Sequence, residues 1–198
     1  MLDYLPVPDH LKQRVILVTG AGEGIGRAAA LAFAAQGAMV ILLGRKVKTL
    51  EAVYDEIEAA GGPQPLIFPM HLEKASEDDY RGLAEGIYQQ VGRLDGILHN
   101  ASRFDNLSPL EIQTLEQFSG MLAVHLLAPF ALTKACLPLL KRAPDASVIL
   151  TSTTAAHHPA AFWGAHAISK SAAETLVSIW ASELETFPNL RINAIVPG

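Results

Sequence analysis

A single cysteine, Cys136, in 198 residues rules out an internal disulfide and a cysteine-based metal cluster. Charge is sparse too: 18% of residues are charged, 15 basic against 20 acidic for a net of −5, and Lys and Arg form no run. A nucleic-acid surface needs clustered cations, so nucleic acid is not an expected partner. No uninterrupted apolar stretch approaches the roughly 18 residues of a membrane span, and a membrane partner is likewise not expected. Residues 1–10 hold two acids and two prolines around no apolar core, which is not the pattern of a secretory signal. Repeats, low-complexity tracts and long linkers are also missing. These absences point to a cytoplasmic protein that handles small molecules.

Half of the residues are apolar, enough for a packed core, and the length suits one domain over 1–198. Short β-branched or aliphatic runs at 15–19, 39–43, 66–68, 96–98, 147–151 and 191–196 alternate with stretches of helical spacing at 25–36, 47–60, 77–91, 115–140 and 165–187. This alternation predicts repeated βαβ units and an α/β fold: a doubly wound parallel sheet of Rossmann type with six strands. Gly37 and Gly61-Gly62 stand where helix ends favour a left-handed residue, and Thr114 with Gln117 forms a candidate capping box. The sequence stops at Val196-Pro197-Gly198, directly after a strand. A strand left uncovered there leads us to expect a further segment, the sequence being truncated on its carboxyl side.

Thr19-Gly20-Ala21-Gly22-Glu23-Gly24-Ile25-Gly26 follows the first strand and opens a helix. Glycines at 20, 24 and 26 allow a tight turn and close backbone approach, so a diphosphate can sit on free N–H groups at the positive helix end. The second strand ends Leu42-Leu43-Gly44-Arg45-Lys46. An acid there would hold a ribose 2′-hydroxyl, whereas glycine followed by a base leaves room for a 2′-phosphate and neutralises it. NADP(H) is therefore expected ahead of NAD(H). Glu23 opposes this, since its charge would lie near the same phosphate.

Together with His99-Asn100-Ala101-Ser102, the lysine motif ending at Lys170, and Arg191-Ile192-Asn193-Ala194-Ile195-Val196-Pro197-Gly198, this loop resembles the short-chain dehydrogenase/reductase family, in particular its bacterial NADP-type oxidoreductases. The resemblance runs from about residue 12 to the end. It implies hydride transfer between NADP(H) and a carbonyl or alcohol carbon. It also implies cofactor contacts from Gly20, Gly22, Glu23, Gly24, Ile25, Gly26, Arg45, Asn100, Ala101, Lys170, Pro197 and Gly198. Members use an Asn, Ser, Tyr and Lys tetrad, in which the tyrosine moves the proton, the lysine lowers its pKa and holds the ribose, and the serine binds the substrate oxygen.

Only Lys170 of that tetrad is unchanged. The catalytic positions map onto His125, Thr153, His166 and Lys170; His71 replaces an aspartate near adenine, and Ser102 replaces a glycine. Thr153 keeps the hydroxyl, with neighbouring Ser152 as an alternative. The asparagine acts largely through its carbonyl. Pro129, lacking an N–H, would leave the carbonyl of His125 without its ordinary helical partner and free to hold water; a satisfied helix-face histidine is the other reading. The tyrosine position matters most, because from standard bond lengths an imidazole nitrogen at 166 falls roughly 2 Å short of a phenolic oxygen. About 1 Å of misplacement costs on the order of a hundredfold in rate, so ordinary turnover should suffer unless water or a shifted substrate fills the gap.

Two functions from different classes follow. One is a reductase or dehydrogenase of altered mechanism. The other is a weak or inactive nucleotide-binding sensor or partner subunit. A Zn²⁺ site built from His125, His166 and either His157 or His158 is a lesser alternative to an expectation of no metal. The helix near 165–185 is apolar on several faces, and in the family it and the preceding helix form an interface, so a homodimer or homotetramer is expected.

Overall fold

The computed structural model describes residues 7–197; residues 1–6 and Gly198 lie outside the described residues. Six parallel strands, β1 (Val15–Thr19), β2 (Met39–Gly44), β3 (Leu66–Pro69), β4 (Gly96–His99), β5 (Ala146–Thr151) and β6 (Leu190–Ile195), form one sheet in the order β3-β2-β1-β4-β5-β6. The expected doubly wound α/β fold is present, with every predicted strand within a residue of its place.

Alternation within the strands decides what lies on each face. Leu17, Ile41 and Leu43 point to one side, into a core with Leu83 and Ile87 of α3 (Glu77–Val91) and Leu132, Cys136 and Leu140 of α5 (Ala128–Arg142). Val18, Val40 and Leu42 point to the other, against Ala30 and Ala34 of α1 (Gly24–Ala35) and Leu50, Val53 and Ile57 of α2 (Val47–Ala59). Strands buried on both faces carry near-continuous aliphatic sequence, which is what made them legible.

The predicted helix at 115–140 is three pieces: α4 (Leu115–Leu122), a π-turn (Ala123–Leu127) and α5. Pro129 cannot donate to the His125 carbonyl, and just before it the Ala128 N–H reaches back five residues to Ala123. The whole run is long and apolar enough to cross a membrane, but one face of α5 lies in the core. The capping box of Thr114 and Gln117 forms as expected; a second, Ser76 with Asp79, opens α3. The last helix, α6 (Gly164–Glu183), stops four residues before its predicted end, ahead of Pro188, which disfavours helical backbone before it.

At the amino ends of the two central strands, buried Asp95 binds β1 to the start of β4. Its carboxylate accepts the Val15 N–H at 2.8 Å and Arg93 at 2.9 and 2.5 Å, with Arg14 at 3.3 Å. Asp95→Ala leaves a buried amide unanswered, and should lower the unfolding free energy by about 2–4 kcal/mol. Urea unfolding, with an unchanged slope and a lower midpoint, is the measurement.

Candidate functional site

A cleft of about 680 Å³ runs along the carboxyl ends of the strands, across the point where the order reverses between β1 and β4. Open α/β sheets bind ligands there because the loops diverge to opposite faces. The Thr19 hydroxyl cinches this point, accepting N–H bonds from Asn100 and Ala101 at 3.0 Å each.

The glycine loop has the shape a phosphate needs. Gly20 and Gly24 have φ of +69° and +55°. A Cβ on Gly20 would meet Ala101 Cα at 2.9 Å, and one on Gly26 would overlap the Gly20 carbonyl and sit 2.7 Å from Asn100 Nδ2. A Cβ on Gly24 would meet nothing within 4 Å, because Gly24 fronts the open cleft. Glycine is thus required by packing at 26 and by backbone conformation at 20 and 24, and the cleft beyond is open to a diphosphate. Gly22, Glu23, Ile25, Arg45, Asn100, Ala101 and Pro197 line the same cleft; Gly198 lies outside the described residues. Glu23 is drawn aside by Lys46 Nζ at 2.8 Å, which holds its carboxyl below the usual range, while Arg45 is exposed and has no ion-pair partner among the described residues.

At the other end stand Thr153, His166 and Lys170. Lys170 is buried, donates to the Thr151 carbonyl at 2.6 Å, and is pushed down to about 8 by burial, with Glu174 opposing the shift. Ser152 gives its hydroxyl to Glu174, whereas Thr153 Oγ1 accepts only a long bond from Ala155 N–H, leaving its hydrogen available to a ligand. His166 Nδ1 is buried without a partner. The ring is wedged between neighbours, T-shaped against Phe104 at 5.1 Å and against His125 at 5.2 Å. Burial, then the Lys170 ammonium, lowers its pKa, so it is neutral near pH 7.

His125 is only 2% exposed and does not open on the main cleft. The Arg103 N–H donates to its Nε2 at 3.1 Å, which fixes the hydrogen on Nδ1, where Ser169 Oγ accepts at 2.8 Å; Ser102 also bonds Nε2 at 2.9 Å. Ser169 in turn donates to the His166 carbonyl at 2.9 Å. The imidazole is therefore a strut between the loop after β4 and α6, and burial pushes its pKa down to about 3. With both His125 nitrogens occupied, and His157 held by Glu174 at 3.0 Å, the three-imidazole zinc arrangement does not form.

Sequence reasoning did not single out Arg103 and Glu73, which pair across the cleft wall at 2.5 Å, nor Thr49 under the glycine loop. Partners 30 residues apart on loops leave no periodic signal. His71, noted as a departure, lines the cleft with a buried, unpartnered Nδ1.

Comparison with known proteins agrees with this geometry. The family model for short chain dehydrogenases matches residues 14–198. The chain belongs to the short-chain dehydrogenase/reductase family. Among its relatives is YciK of Escherichia coli K12, an uncharacterized oxidoreductase, 39% identical over 197 residues that cover all of this chain and 77% of YciK. A Pseudomonas syringae structure, provisionally assigned as a short chain dehydrogenase, superposes with a TM-score of 0.97 at 49% identity, covering 100% of this chain and 82% of that one. Another so assigned, from Escherichia coli CFT073 and complexed with NADPH, gives 0.93 at 40%, covering 98% and 80%.

For this member of the short-chain dehydrogenase/reductase family, the neutral His99 and His125, both near pKa 3 through burial, make stability depend on pH. An unfolded histidine binds a proton below about 6.5 that the folded site refuses, so stability present above 6.5 is lost as pH falls towards 3, at about 1.4 kcal/mol per pH unit for each residue. Urea unfolding between pH 6.5 and 5 should show this slope, reduced by one histidine's share in His125→Asn. An unchanged slope in that variant would refute the assignment.

Proposed function

We propose that the protein is an oxidoreductase passing hydride between NADP(H) and a carbonyl or alcohol substrate, with His166 standing where the family has tyrosine. One observation carries the reading: the glycine loop, Arg45, Thr153, His166 and Lys170 all line a single cleft. The nicotinamide supplies or accepts the hydride when bound. Gly20, Gly22 and Gly24 present backbone to the diphosphate with Gly26 packed beneath them, and Arg45 takes the 2′-phosphate; the Lys46–Glu23 pair supports this by neutralising the acid near it. The NADPH complex of the Escherichia coli CFT073 protein supports the same choice of cofactor.

Thr153 hydrogen-bonds the substrate oxygen through its hydroxyl, and the proton that oxygen gains as the carbonyl takes up hydride comes from the Lys170 ammonium, which solvent recharges. A neutral imidazole still hydrogen-bonds a carbonyl oxygen, so His166 polarises that oxygen without carrying charge. Lys170, charged below about 8, holds the ribose and favours negative charge developing nearby. His125 acts through Ser169 and the His166 carbonyl as a positioning residue. The face of α5 and α6 bearing Phe130 stacked on Trp180, beside exposed Ile179, supports a homodimer built on these helices.

The shorter reach of imidazole, with Nδ1 sealed from any partner, favours a second reading: a nucleotide-binding sensor or partner subunit without turnover. With NADPH and a panel of carbonyl compounds, followed by nicotinamide absorbance, His166→Ala should lower the parent rate at least tenfold. A parent without activity that gains it in His166→Tyr selects the second reading instead. Arg45→Ala should weaken NADPH about tenfold in calorimetry and leave NADH unchanged. If neither nucleotide binds, both readings fall.

A further inference from the structure

The substrate end of the cleft has a chemical bias that the hydride-transfer reading does not specify. Resting on that reading, we infer that the site takes an uncharged carbonyl compound with a flat aromatic group next to the reacting carbon, an aryl ketone or its alcohol, in preference to short or acidic carbonyl compounds.

The ring of His166 belongs to an aromatic cluster. Phe104 lies 5.1 Å away at 86°, Trp163 lies 5.7 Å away at 54°, and Phe104 and Trp163 are themselves 5.8 Å apart at 50°. All three spacings fall in the range where aromatic rings attract beyond their buried area. Phe104 and Trp163 do not themselves line the cleft but flank its His166 wall, and Phe104 is 52% exposed, so a large apolar ring stands open next to the residue that faces the substrate oxygen. At 5.8 Å the pair leaves no slot for a third ring, which would need two van der Waals spacings, roughly 7 Å. A ligand ring therefore lies on the open side of Phe104, extending the cluster outward.

The backbone holds these rings in place at a cost. Phe162 has φ of +76°, a left-handed conformation that is unfavourable for a bulky residue. The Ser108 N–H donates to its carbonyl at 3.2 Å, and the Gln113 side chain accepts the Ala165 N–H at 3.1 Å while donating to the Ser108 carbonyl. These bonds join the loop after β4 to the turn before α6, so Phe104 and Trp163 are set by one connected structure.

Charge at this end argues against an acid. Arg103 is the cation of the wall beside Ser102 and His166, but its guanidinium is committed to Glu73 at 2.5 Å and to Asp105 at 3.4 and 3.2 Å. Lys170 Nζ is held by the Thr151 carbonyl. A substrate carboxylate would find two carboxylates beside Arg103 and only Lys170, which already serves the Thr151 carbonyl and the ribose, whereas a neutral ring would find Phe104. The polar groups left for a ligand, the Thr153 hydroxyl and the edge of the His166 ring away from its sealed Nδ1, suit one oxygen atom.

The test uses the full chain saturated with NADP⁺, which has no hydride to pass to a ketone, with NADPH and NADP⁺ binding first verified by calorimetry. Acetophenone, acetone and pyruvate are then titrated against tryptophan fluorescence, in a Trp180→Phe background so that Trp163 alone reports. Acetophenone should quench the signal and bind about tenfold or more tighter than acetone, with pyruvate weakest. Phe104→Ala and Phe104→Leu should each erase most of that preference while NADPH affinity stays as in the parent. Pyruvate binding as tightly as acetophenone, or acetophenone affinity unaltered in both Phe104 variants, overturns the inference and leaves the nucleotide reading standing. Absence of NADPH binding overturns both.

Discussion

The site hangs on one uncharged imidazole. His125 accepts an amide hydrogen from the loop that carries Phe104 and gives its own to Ser169, whose hydroxyl reaches the carbonyl of His166. Arg103, Phe104, His166 and Lys170 belong to the two segments so joined; Thr153 alone comes from the turn after β5. Burial keeps the ring neutral, and neutrality is what lets one nitrogen accept while the other donates; a protonated ring would present two donors and push the Arg103 amide away. The arrangement combines a helix interruption with a polar strut. Because Pro129 cannot answer the His125 carbonyl, the helix widens into a π-turn at the residue whose side chain is needed below it.

The two halves of the cleft differ in kind. At the nucleotide end the backbone does the recognising: glycines without side chains, a helix end, and a threonine that locks two loops. That machinery is insensitive to which substrate is used. At the other end side groups dominate: the Thr153 hydroxyl, the His166 imidazole and the Lys170 ammonium. The Ser102 hydroxyl meets the His125 imidazole at 2.9 Å. Residues 102 and 125 therefore make one unit of packing and cannot be judged singly.

Legibility in the sequence followed distance along the backbone. Strands buried on both faces, the capping box at Thr114 and the glycine loop are local patterns, and each lies where the sequence puts it. The break in the long helix was half legible: Pro129 announced an unanswered carbonyl but not the wider turn. That His125 would be a satisfied histidine was one of two readings, but its partners were hidden, since they are Ser169, 44 residues away, and a loop amide. The choice between Ser152 and Thr153 needed Glu174, a helix residue 22 positions on, which takes the Ser152 hydroxyl. Arg103 read as an ordinary loop cation until Glu73 and Asp105 were seen to enclose it.

The π-turn also sets a phase. One extra residue per turn rotates everything on its amino-terminal side by about 100° relative to α5. That offset lets α4 face α6 while α5 faces α3 and the sheet. It also brings Gly120, where a Cβ would collide with the guanidinium, under Arg103. Deleting a single residue between 123 and 127 would leave the composition almost untouched, yet it would swing α4 out of step and unseat the arginine that screens the cleft.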